Sequence, residues 1–316
     1  DERRLVVDDR VDPQRRFTVL GLGAVAAAGL MRGLSLDQLC NAFGIAAALL
    51  PVCPFVSFVE GADTKDLYGG WGVHLAMFAV DAAQRGLTGA EHVLDGIKSL
   101  NTVFQGDAGK EIALGEPYLI NWLSIKQYPA CFAVNPAVNA AFALQEKYNI
   151  DTAEIESVLV DSYPYSYDLN NGVGRDPNTT SGRLSLYYTV AVALIERSLT
   201  PDAFTAEKLK DPKYAELRGK ITAKRHDAYG DGPKGIRACI LEVYMKDGRV
   251  YQTEYNATDV HVVYSDEMLY EKYCGLTRDA LAPDQQRDLY DYAMALAKQE
   301  NLSYLLNMMR RLPKIR

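Results

Sequence analysis

Two lysines stand in surroundings where lysine is unexpected. Lys65 follows Gly61-Ala62-Asp63-Thr64 and precedes the glycine-rich run Leu67-Tyr68-Gly69-Gly70-Trp71-Gly72, which leads into an apolar helix pattern. Lys126 lies in Ile125-Lys126-Gln127-Tyr128-Pro129-Ala130-Cys131, where the chain passes from a helical to a mixed pattern. Ligands commonly bind at such junctions. A lysine there can hold a carboxylate as a point charge, or move a proton if burial lowers its pKa.

Other arrangements that could carry chemistry lack a necessary part. Gly21-Leu22-Gly23-Ala24-Val25-Ala26 has the spacing of a dinucleotide fingerprint, but the segment after it is another helix pattern instead of a second strand ending in an acidic residue. Its glycines are expected to let buried helices approach closely. Gly61-Ala62-Asp63-Thr64-Lys65 lacks the Gly-Lys-Ser/Thr order of a phosphate loop. His74, His92, His226 and His261 are scattered, without HExxH or a nearby carboxylate cluster, so no metal site is expected. No G-x-S-x-G elbow occurs.

The 316 residues carry 34 basic and 41 acidic side chains, for a net charge of −7. That balance argues against nucleic acid as a partner, since such binders show a basic surplus or stripe. An anionic small molecule remains compatible, because a site depends on local charge. Five cysteines without CxxC spacing argue for free thiols in a reducing compartment. The longest apolar stretches fall short of the ~20 residues that cross a bilayer or are broken by proline. A cytoplasmic protein without membrane contact is expected.

The elements that must position the lysines follow a helix, mixed, helix order. Residues 17–31 read as a fully buried helix. Ser35-Leu36-Asp37-Gln38 offers a cap for a second helix ending at Pro51. A loop over 51–70, a helix over 71–84 and a shorter helix over 88–99 follow. The middle holds a helix over 138–146, strands over 155–163, 219–224, 237–245 and 250–255, and a helix over 184–196. Residues 164–182 read as turns, and Lys246-Asp247-Gly248-Arg249 reads as a hairpin turn. From Ser265 onward the pattern is helical again. The class is mainly α with α+β: a large helical domain over 1–121, a smaller α+β domain over 122–264 inserted in sequence, and C-terminal helices over 265–316 returning to the first.

Four stretches together resemble the MmgE/PrpD family, which includes 2-methylcitrate dehydratase, cis-aconitate decarboxylase and iminodisuccinate epimerase. They are Gly23-Ala24-Val25-Ala26-Ala27-Ala28 with Gln38-Leu39 and Ala42-Phe43-Gly44-Ile45-Ala46; Thr64-Lys65-Asp66-Leu67 with Gly86-Leu87-Thr88-Gly89; Ile125 to Cys131 with Asn135-Pro136-Ala137-Val138; and Arg183-Leu184-Ser185-Leu186-Tyr187-Tyr188-Thr189. The resemblance implies a helical domain closed by an α+β lid, a homodimer, no cofactor, and a di- or tricarboxylate substrate bound between the domains. Lys65 and Lys126 match the family's active-site lysines, Tyr188 matches a site tyrosine, and Cys131 falls where some members carry a histidine. Arg183 joins Lys65 and Lys126 as a substrate-binding cation.

Removing a proton beside a carboxylate builds enolate-like charge, which fixed cations stabilise. Cys131 can act as base if Lys126 favours its thiolate, since free cysteine titrates at ~8.5. Tyr188 or Lys126 can protonate the departing hydroxide. The chain departs from the family pattern at its start, where a helical segment with an HPG-like motif is unmatched, and at Asn135, where histidine is frequent. The expected activity is dehydration of a 2-methylcitrate-like or alkylcitrate tricarboxylate. Decarboxylation, epimerisation and a non-catalytic binding subunit lacking the family's first segment stay open.

Overall fold

The computed structural model describes residues 20–50, 57, 60, 62–95, 97–103, 115, 118, 120, 125–171, 177–230, 236–257 and 264–311. Cys53, His261 and the expected boundary at 121/122 lie outside them. The chain forms two compact units, Asp1–Thr258 and Asp259–Arg316.

Among the described residues the first unit begins with the helices α1 (Leu20–Met31), α2 (Leu36–Ala48) and α3 (Thr64–Gln84). Ser35 starts α2 with a full capping box. Its Oγ accepts from the Gln38 amide at 3.2 Å, and Gln38 Oε1 accepts from the Ser35 amide at 3.1 Å. The helices share a core of small residues, Val25, Ala42, Ala46, Ala76, Ala79, Val80 and Ala83. A Cβ on Gly21 would lie 3.3 Å from the Gly72 carbonyl, so this glycine does allow α1 and α3 to approach. Gly23 faces open space. Both sit within a helix, so the fingerprint spacing belongs to no strand–turn–helix unit. α1 is also not buried all round: Val25 is 0% exposed but Leu30 is 70% exposed.

α3 begins at Thr64, well before the expected start at 71, and runs through Gly69, Gly70 and Gly72. Packing of α3 on α1, where Gly72 faces Gly21, offsets the low helix propensity of this stretch; Gly69 and Gly70 themselves face open space. The expected helix over 88–99 is absent; residues 91–95 form turns, followed by the four-residue helix α4 (Leu100–Val103). The reason is a close approach. The Gly89 amide donates to Asn41 Oδ1 at 3.0 Å, and a Cβ on Gly89 would fall 2.4 Å from the Asn41 carbonyl and 2.6 Å from Gly44 Cα.

The rest of this unit is a two-layer α/β arrangement. In chain order it comprises α5 (Asn135–Tyr148), β1 (Ile155–Ser162), α6 (Pro164–Asn170), α7 (Leu186–Glu196), α8 (Ala206–Lys210), α9 (Pro212–Gly219), β2 (Ile221–Arg225), β3 (Ala238–Met245) and β4 (Val250–Asn256). The sheet order is β2-β1-β3-β4, with β1 parallel to β2 and the other pairs antiparallel. Val158, Val160, Leu241 and Val243 share one core with Val138, Ala141 and Leu144 of α5 and Val190 and Leu194 of α7. The hairpin turn forms as expected, with Gly248 at φ 86° and the Gly248 amide on the Met245 carbonyl. α6, α8 and α9 are additions to the sequence reading. Pro164 and Pro212 occupy their first turns, where a missing N–H costs nothing.

The second unit holds α10 (Asp266–Thr277), α11 (Pro283–Met294) and α12 (Ser303–Arg311). Among the described residues the protein is therefore mainly helical with one small mixed sheet. No helix among the described residues is long and apolar enough to cross a membrane.

Candidate functional site

The segment 125–134 enters α5 through the 3-10 turn Phe132–Val134. Lys126 is exposed, and its Nζ donates to the Ala130 carbonyl at 3.1 Å, folding the segment back on itself. Tyr128 OH donates to Asn139 Oδ1 at 2.6 Å, which anchors the same loop to α5. Cys131 is half-buried, and its amide donates to the Arg183 carbonyl at 2.7 Å. Lys126, Cys131 and Arg183 are thus brought into one neighbourhood by backbone geometry.

Arg183 closes the 3-10 turn Ser181–Arg183, and its side chain is exposed, 5.8 Å from the Phe204 ring. The turn is built by Asn178, whose Oδ1 accepts from the Thr180 and Ser181 amides at 3.0 and 2.8 Å. This is the local carboxamide-to-backbone bonding that favours turns over helices. Asn170 of α6 donates to the Leu184 carbonyl at 2.6 Å, holding the turn from its other side.

Thr180 links the turn to the start of α3. Asp63 precedes that helix in the capping position, yet makes no side-chain cap bond. Its Oδ1 accepts instead from Thr180 Oγ1 at 3.1 Å. Lys65 lies in the first turn of α3; its side chain lies outside the described residues.

Tyr188 follows Arg183 by just over one helical turn, and its amide is capped by Ser185 Oγ at 3.2 Å. The ring goes inward. Tyr188 is 0% exposed, packs against Phe204 and Tyr214, and donates its hydroxyl to the Ala203 carbonyl. Burial is the main cause that pushes its phenol far above the ordinary tyrosine value.

Two neighbourhoods were not visible in the sequence. Asn135 is buried beside the Cys131 segment, and its Oδ1 meets no hydrogen-bond partner among the described residues. At the sheet's edge, His226 Nδ1 lies 2.8 Å from Asp161 Oδ2, and Lys224 Nζ lies 3.0 Å from the same oxygen. The parallel register of β1 and β2, which sets Asp161 beside Lys224, creates this cluster. No pattern along the chain announces a pairing across sixty residues. Among the described residues, no group of three or more histidine, cysteine, aspartate or glutamate side chains is placed to hold a metal ion.

Two family models match the chain. The MmgE/PrpD N-terminal domain covers residues 11–113, and the MmgE/PrpD C-terminal domain covers residues 128–298. No curated protein matches it.

Proposed function

The chain belongs to the MmgE/PrpD family, and on that premise we propose that it is a cofactor-independent lyase dehydrating a 2-methylcitrate-like or alkylcitrate tricarboxylate. The observation that carries this reading is the 2.7 Å bond from the Cys131 amide to the Arg183 carbonyl, with Lys126 folded onto Ala130 beside it. The backbones of two separate family stretches meet there, one bearing Lys126 and Cys131 and the other Arg183, the residue types an elimination beside a carboxylate requires.

In this reading Lys65, Lys126 and Arg183 hold substrate carboxylates, and the Cys131 thiolate takes the proton from the carbon beside one of them. The electron pair of that C–H bond forms the alkene as the C–O bond breaks. Hydroxide leaves with a proton from an acid and departs as water. For that acid, exposed Lys126 has an access that Tyr188 lacks, since the Tyr188 hydroxyl is turned to Ala203. Tyr188 then serves by holding the 201–204 turn against α7. Fixed cations at the developing negative charge supply the electrostatic part of the rate.

The test follows alkene absorbance with purified protein and 2-methylcitrate or an alkylcitrate. Lys126→Ala and Cys131→Ala are expected to lose at least ~10²-fold in rate; unchanged rates in Lys126→Ala would sink the assignment. Product NMR in deuterated water separates dehydration from decarboxylation and from epimerisation, because epimerisation exchanges a proton without loss of mass. In the same reading the protein is cytoplasmic and its active form a homodimer, and light scattering tests the dimer against the chain mass of 35.0 kDa.

A further inference from the structure

Ala130, Cys131 and Phe132 are each met by a different cation-bearing segment. Lys126 Nζ donates to the Ala130 carbonyl at 3.1 Å, and the Arg183 carbonyl accepts from the Cys131 amide at 2.7 Å. The guanidinium of Arg237 lies over the ring of Phe132, 5.4 Å from its centroid. Arg237 comes from a third stretch, immediately before β3, and both it and Phe132 are exposed.

A second observation sets Arg237 beside Cys131. Tyr163 is buried at the end of β1, and its amide donates to the carbonyl of Ala238, the neighbour of Arg237, at 3.1 Å. Burial pushes the Tyr163 phenol up; the Arg237 charge opposes that shift and Cys131 adds to it. Two chain segments therefore adjoin Tyr163: that of Arg237, through the carbonyl of Ala238, and that of Cys131. Cys131 packs against the small cluster of Ala133, Tyr163, Tyr229 and Ala238, the last of these the chain neighbour of Arg237.

We propose that Arg237 is a specificity-determining residue, receiving the carboxylate that distinguishes a tricarboxylate from a dicarboxylate while the reacting carbon lies at Cys131. A guanidinium is a planar fork of N–H donors that can grip a carboxylate with two parallel bonds, and here it lies over the Phe132 ring. Phe132 fixes where that fork stands. Because Phe132 is adjacent to Cys131 in the chain, the anchor point and the base move together. The assignment rests on the lyase reading of this site and deepens it by naming which cation selects the charge of the substrate.

Tricarballylate and glutarate differ by one carboxylate and serve as probes, titrated calorimetrically into the full chain. The wild type is expected to bind tricarballylate more tightly. Arg237→Gln should weaken tricarballylate ~10–100-fold, as loss of a charge-assisted pair does, and glutarate less than ~3-fold on the same scale. Arg237→Lys should restore part of the difference, and Arg249→Gln, on the distant β3–β4 turn, should keep all of it. Wild-type tricarballylate affinity in a folded Arg237→Gln variant overturns the proposal, as does an equal loss for both probes or no tricarballylate binding by the wild type. Turnover is read separately. Intact Arg237-dependent selectivity without alkene formation defeats the lyase reading alone, whereas turnover with unaltered selectivity in Arg237→Gln defeats the Arg237 assignment alone.

Discussion

Thr180 donates its hydroxyl to Asp63 Oδ1 across 3.1 Å, joining the turn that carries Arg183 to the start of the helix that carries Lys65. Asp63 is the residue type that ordinarily caps a helix with its own side chain. Here that carboxylate is diverted to a residue far along the chain, and α3 starts without a side-chain cap.

Thr180→Val keeps the shape of the side chain and removes the donor. Asp63 is exposed and regains water, so the stability cost should stay near ~0.5–1.5 kcal/mol. The effect on catalysis should be larger, about tenfold in kcat/KM, because positioning of substrate cations is sensitive to small displacements. Thermal melts and steady-state kinetics on the same preparation check both; a stability loss with unchanged kcat/KM would detach this bond from the site.

Tyr188→Phe leaves the Ala203 carbonyl without its donor in a fully buried setting. Urea denaturation should show a loss of about 1–3 kcal/mol, the range for an orphaned buried acceptor. Since Lys126 is assigned the proton-donating role, kcat of the folded variant should fall by no more than a few-fold. A loss of ~10²-fold or more would return that role to Tyr188.

Gly89→Ala should destabilise the helical part of the first unit. The added Cβ meets backbone atoms of Asn41, Gly44 and Ile45 at 2.4 to 2.6 Å, and backbone cannot rotate away as a side-chain tip can. A cost of at least ~1–3 kcal/mol is expected from overpacking. Gly23→Ala, which meets nothing within 4 Å, is the matched control and should leave the melting temperature unchanged or slightly raised, since alanine favours helix.

Glu196 accepts from Lys213 Nζ at 2.8 Å and from the Tyr214 hydroxyl, and these bonds hold its carboxyl below the ordinary glutamate value. A folded-state pKa that is depressed contributes stability above the unfolded pKa and loses it as pH falls through the folded one. The melting temperature should therefore drop on acidification below about pH 4.5, the ordinary glutamate value. Glu196→Gln should flatten that part of the profile. Because both partners are partly exposed, moderate salt should shrink the difference; an unchanged acid limb in the variant would remove Glu196 from the account.

Several features were legible along the chain because their causes are local. Ser35 and Gln38 announced a helix start by their spacing, and the structure forms the reciprocal bonds. The alternation in β1 and β3 and the Asp247-Gly248 turn placed the strands within a residue or two. Where expectation failed, a distant partner had decided. Gly69 and Gly70 read as loop, but they continue the helix whose Gly72 packs on Gly21 of α1. Residues 88–99 read as helix, but Gly89 is pulled against Asn41 and Gly44 instead. Helix α6 was hidden because its proline and asparagine signal turns, while its first turn tolerates Pro164.

By itself the sequence determined the family, the order of helices and strands, and the residue types available to bind a carboxylate or move a proton. Periodicity and capping carry that information because they act over a few residues. Tertiary structure decided which of those residues meet. The Cys131 amide reaches Arg183, the Asp63 carboxylate leaves its own helix for Thr180, and the Tyr188 hydroxyl turns to Ala203. A helical or strand pattern says which face of an element is buried but not against what. Each of these three bonds forms because the packing of the cores brings together groups that nothing along the chain pairs.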